Sequence, residues 1–159
     1  MSFKSGYFVG IFGGIGSRKR LLAENLSRHL RDPRIQIFSQ DSAHRLDYRI
    51  FLDRPYDQLL ENYILGLPPK KLVDKEKLKK ELEAFRRFHI EKVMPQKTLA
   101  DVWYPGDVEN KEKVHQLALG ILKKRMEFDE DENVRIYLEA NGRPQISHPG
   151  KINSEFLFK

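Results

Sequence analysis

The sequence predicts an α/β protein: a three-layer α/β/α sandwich around a short parallel sheet, with a β-hairpin added near the C-terminal end. Three observations carry this. Residues 7–30 read as strand, glycine turn and helix. Short apolar runs then alternate with helical stretches along the 159 residues, and strand–helix–strand is by default a parallel βαβ unit. Finally, Asn141-Gly142, a strong two-residue hairpin signal, separates two strand-like stretches.

The first element is the apolar run Tyr7-Phe8-Val9-Gly10-Ile11-Phe12, a buried strand over 7–12. Gly13, Gly14, Ile15, Gly16 and Ser17 make the turn, and Leu21, Leu22, Leu26 and Leu30 recur at helical spacing behind it. This order suits phosphate. Glycines let the backbone approach closely, several N–H groups converge, and the helix N-terminus adds positive potential. Two glycine patterns fit the turn. The motif G-x-x-x-x-G-K-[ST], aligned on Gly13, keeps its first glycine and its lysine, Lys19. Arg18 stands where its last glycine belongs, and Arg20 stands where a hydroxyl would meet Mg²⁺. If position 18 needs a positive φ, Arg18 is strained there. Alternatively, Gly10, Gly14 and Gly16 have the spacing of a short-chain dehydrogenase loop, but no tyrosine has a lysine four residues on. A glycine turn that binds nothing is the third reading.

Asp32-Pro33 breaks the first helix, and Ile35-Gln36-Ile37-Phe38-Ser39 predicts a second strand over 35–39. Asp41 follows at its carboxyl end, the edge where ligands bind in open α/β sheets, so Asp41 and Lys19 can face one cleft. The competing use of Asp41 is as a cap before Ser42-Ala43.

Composition narrows the field. With no cysteine there is no disulfide, thiolate chemistry or zinc-thiolate site. The net charge of +6 attracts nucleotides and nucleic acid alike. However, the basic residues are spread along the helices and mixed with 23 acidic ones, which argues for a solvated surface rather than a nucleic-acid interface. No apolar run is long enough to span a membrane and no signal peptide is evident, so the expectation is a cytoplasmic protein with no membrane partner.

The phrase FVGIFGGIGSRKRLLAENL, followed by IQIFSQD, resembles the opening of uridine kinases and their phosphoribulokinase-like relatives. HRLDYRIFLD is similar to that family's late strand, and FHIEKVMPQKTLADVWYP to its closing phrase. These matches, in order, cover most of residues 7–125. The resemblance implies a P-loop NTPase-like sheet with strands over 48–52 and 100–104. It also implies ATP as phosphate donor and transfer to an alcohol group of a nucleoside. In this reading Gly13, Gly14, Ile15, Gly16, Ser17, Arg18, Lys19 and Arg20 hold the phosphates, and Lys19 and Asp41 are catalytic, with Asp41 as base. The family's long middle segment is missing, since only Ser42 and Ala43 separate Asp41 from His44. With it go the nucleoside pocket and the inner strand whose acidic end helps place Mg²⁺. No metal ligand is therefore assigned. The function expected is nucleotide or phosphate binding with phosphoryl transfer weak or lost. The alternative is an inactive pseudokinase that engages a protein partner.

Farther on, residues 74–93 predict a long charged helix with Leu78, Leu82, Phe85, Phe88 and His89 along a core stripe, ended by Pro95. Trp103 is expected in the core, and residues 112–125 form another amphipathic helix. The acidic run 127–132 reads as a solvated linker. Residues 134–140 alternate as a strand, 143–147 return as an edge strand because of Pro144, and 152–159 form an apolar-ended tail. The division expected is thus a kinase-like domain over 1–126 and a linker, hairpin and tail over 127–159.

Overall fold

The computed structural model describes residues 6–39 and 46–140, and for 130–140 the backbone alone. By compactness the chain divides into two units, 1–119 and 120–159.

The first unit is built on four strands: β1 (Tyr7–Gly13), β2 (Ile35–Phe38), β3 (Tyr48–Leu52) and β4 (Val102–Tyr104). They form one sheet in the order β2-β1-β3-β4, with every pairing parallel. The helices are α1 (Lys19–Leu30), α2 (Tyr56–Leu65), α3 (Pro69–Val73), α4 (Lys75–Phe88), α5 (Met94–Leu99) and α6 (Lys111–Ala140). A parallel sheet with helical crossovers is compatible with the expected three-layer α/β/α arrangement.

Apolar spacing builds the core. Val9 and Ile11 of β1, Leu22 and Leu26 of α1, and Ile50 and Leu52 of β3 are fully buried. Two aspartates pin the register at the strand entrances. Phe8 N–H donates to the Asp47 carboxylate at 2.8 Å and Asp47 N–H returns to Phe8 O; Arg49 N–H donates to Asp101 at 2.7 Å and Asp101 N–H returns to Arg49 O. Parallel pairing puts the carboxyl ends of β1, β2 and β3 along one sheet edge, where the glycine turn begins.

Four expectations change. Pro95 does not end the long helix. After α4 the helical backbone runs on through a π-helical turn, His89–Val93, and into α5, with Pro95 in the first turn of α5. Trp103 is 55 % exposed because β4 is an edge strand. Its indole donates to Lys97 O at 2.8 Å, and the Lys97 ammonium lies 4.6 Å from the ring centroid. On the stripe of α4, Phe85 is buried but Phe88 is exposed.

The fourth change concerns residues 127–140, which are helical throughout as part of α6 rather than linker and strand. Glu127 pairs with Lys124 and Asp129 with Arg125, one turn apart, so the acidic run reinforces the helix. Once a helix is running, each further residue adds a hydrogen bond without a new nucleus, and this outweighs the alternation of Val134, Ile136 and Leu138. The return strand over 143–147 and the tail over 152–159 lie outside the described residues. Among the described residues no helix is long and apolar enough to cross a membrane.

Candidate phosphate-binding site

The turn between β1 and α1 is shaped by close approach and by left-handed backbone. Gly13 closes β1 where a Cβ would lie 2.9 Å from Ser17 Oγ and 3.0 Å from Leu52 O, so only glycine fits. Gly16 has φ +83° and is hemmed in by Leu59 O of α2. Arg18, at the motif's last glycine, has φ 66°. The backbone keeps the left-handed geometry although the residue has a side chain, at a strain of about 1–2 kcal/mol.

Ser17 is 1 % exposed; its N–H bonds Gly14 O at 3.1 Å, but its hydroxyl has no partner. Lys19, the first residue of α1, folds back so that its ammonium donates to Gly13 O at 2.8 Å, spanning the turn. Arg18 caps α1 without a side-chain hydrogen bond, and no acidic side chain lies in the first turn. The opening N–H groups of a helix have no intrahelical partner, so this end presents donors and positive potential. The Arg18 guanidinium reaches Glu109 at 3.3 Å, and Arg20, largely exposed, lies 3.8 Å from Glu24.

Beside the turn is a cleft of about 930 Å³. Gly14 and residues 16–20 form one wall, residues 37–39 from the end of β2 another, and Asn62 of α2 a third. Phe38 stacks on Phe8 with ring centroids 6.0 Å apart. Of the expected loop residues, Gly13 is the buried hinge and Ile15 is partly exposed outside the lining; the others line the cleft. Asp41 lies outside the described residues; Ser39, the last residue described before it, is on the cleft wall. Gly10 lies inside β1, where its missing side chain leaves room for Leu46, a packing reason for that glycine.

Sequence reasoning did not find three contributors. Asn62 donates its amide to Gly16 O at 2.9 Å, steadying the turn from α2. Glu109 holds Arg18 from 91 residues away. His89, read from sequence as a packed or surface histidine, backs the turn: its Nδ1 would be 3.4 Å from a Cβ on Gly14. The imidazole packs among Tyr56 and Phe85, its buried Nδ1 has no partner, and burial lowers its pKa from the usual 6.5. At the end of β3, Asp53 pairs with Lys97 at 2.9 Å.

No protein-family model, curated protein or solved structure matches the chain, so the functional reading rests on this geometry and on the sequence.

Proposed function

We propose that the chain is a shortened relative of the uridine kinases whose turn over 13–20 binds the phosphates of a nucleotide, ATP, or of another phosphate-bearing small molecule. One observation carries the reading. Lys19 spans a glycine turn that keeps left-handed backbone at Gly16 and Arg18, over a buried, unpartnered Ser17 hydroxyl. A phosphate oxygen entering the cleft gives that hydroxyl a partner, takes the Lys19 ammonium from Gly13 O, and meets the first-turn N–H groups of α1. The cradle therefore fits a polyphosphate; ATP, when bound, supplies a transferable phosphoryl group.

In this reading phosphoryl transfer is weak or lost. Positioning and charge neutralisation do most of that chemistry, and the acceptor pocket has no counterpart in the sequence. Asp41 remains the proposed base and Lys19 the proposed phosphate-holding catalytic residue. The test is calorimetric titration with ATP. The native chain should bind and Lys19→Ala should bind at least about tenfold more weakly, from loss of a charge-assisted hydrogen bond. Equal affinity in a folded Lys19→Ala protein removes the reading.

A second reading, a protein-interaction module, is favoured by one specific observation: Leu65, Val73, Leu99 and Trp103 are each more than half exposed. Nucleotide binding that needs Lys19 separates the two.

A further inference from the structure

Magnesium, which the proposed ancestry implies, does not fit the residues around this cleft. Where a hydroxyl would ligate it stands Arg20, a cation. Among the described residues lining the cleft there are three cations, Arg18, Lys19 and Arg20, and no carboxylate. Among the described carboxylates, Glu109 is engaged by Arg18, Glu24 by Arg20 and Asp53 by Lys97. Nor does an inner strand bring an acidic end to the site, because β1 pairs with β2 directly from Tyr7↔Ile35 to Gly10↔Phe38. A divalent cation placed here would face like charge on three side chains, with no carboxylate among the described lining residues to offset it.

We infer, resting on the phosphate-binding reading above, that the cleft takes its polyphosphate ligand free of metal, with Arg18 and Arg20 doing the charge neutralisation that a metal would otherwise do. The buried hydroxyl of Ser17, a residue of the cleft lining at 1 % exposure and without a hydrogen-bond partner, is a second observation that points to a ligand at this helix end. Planar guanidinium groups pair with phosphate oxygens in a bidentate fork and remain charged at every working pH. Arg18 also has to leave Glu109, an exposed contact that competes weakly. The sign of the metal effect follows. Magnesium cancels part of the charge on a triphosphate, so it removes attraction to the three cations and gains no carboxylate among the described lining residues in return.

The experiment is calorimetric titration of the full chain with ATP, once in EDTA and once in excess magnesium chloride, with inorganic pyrophosphate as a base-free probe. Binding in EDTA should be about threefold or more tighter than with magnesium for both probes, because the more highly charged ligand meets the same cations. Arg20→Ser, which restores the motif's hydroxyl, should lose at least about tenfold in metal-free affinity while keeping its circular dichroism spectrum. Binding that requires or is tightened by magnesium overturns the metal-free inference and leaves the phosphate loop standing. So does an Arg20→Ser protein with unchanged metal-free affinity. Absence of binding in both buffers overturns the phosphate-binding reading and this inference with it.

Discussion

Arg18 occupies left-handed backbone at φ 66° with its guanidinium against Glu109. Two opposing effects meet at this residue. A side chain at positive φ is strained by about 1–2 kcal/mol. Glycine would relieve that but would cost about 0.5–1 kcal/mol of chain entropy. The Glu109 contact is half exposed at both ends and so adds little. Arg18→Gly should therefore stabilise the fold, by about 0.5 kcal/mol, with its urea midpoint moving up. A lower midpoint would mean that the Glu109 contact outweighs the strain. The same substitution should weaken binding of a metal-free polyphosphate, so stability and affinity move in opposite directions at one position.

At the scale of elements, the turn is held from behind by α2 and by the π-helical turn over His89–Val93, in which Met94 N–H reaches His89 O. A wider helical turn at that point accompanies an imidazole set beneath Gly14 among Tyr56 and Phe85. Burial disfavours the charged form of this ring and lowers its pKa from 6.5. A lowered histidine pKa means that the unfolded chain binds the proton first. The stability at stake is fully present above pH 6.5 and is lost as the pH falls toward the lower folded value. His89→Gln should remove that part of the acid sensitivity; urea midpoints at pH 7.5 and 5.0, compared between the two proteins, check it. Equal pH dependence in both would show that His89 does not titrate differently on folding.

Much of the element layout was legible because its signals are local. The runs over 7–12 and 35–39 are apolar enough to read as strands directly, the family resemblance implies a third over 48–52, and strands form at all three. Glycine spacing likewise marked the turn. What escaped depends on distant partners or on competition. Asn62 sits in α2 with nothing in its neighbours to say that it bonds Gly16 O, 46 residues away. Trp103 reads as core by residue type, but edge-strand position leaves it exposed. Residues 134–140 alternate like a strand, yet helix propagation from Lys111 carries through them. Asp41, the proposed base, lies outside the described residues.

For the molecule as a whole, the net charge of +6 sets the long-range field and the turn at the carboxyl edge concentrates it. In the phosphate-binding reading a polyphosphate is drawn by both. At physiological ionic strength charges beyond about 8 Å are screened, so the distant lysines and arginines contribute mainly at low salt. Affinity for ATP in EDTA should fall steadily as sodium chloride rises from 25 to 300 mM, roughly tenfold over that range, levelling toward the part supplied by close contacts. A titration series in salt measures it. Affinity that does not change with salt would argue against a site built on these cations.

The Lys19 ammonium on Gly13 O has a kinetic meaning as well. In the phosphate-binding reading this internal hydrogen bond spans the turn in advance of a ligand. A phosphate arriving there exchanges one hydrogen bond for another instead of ordering a slack segment, so little conformational freedom is lost at the moment of capture. Under these conditions capture runs near the rate set by diffusion and charge, and differences among ligands are expressed in how long each one stays.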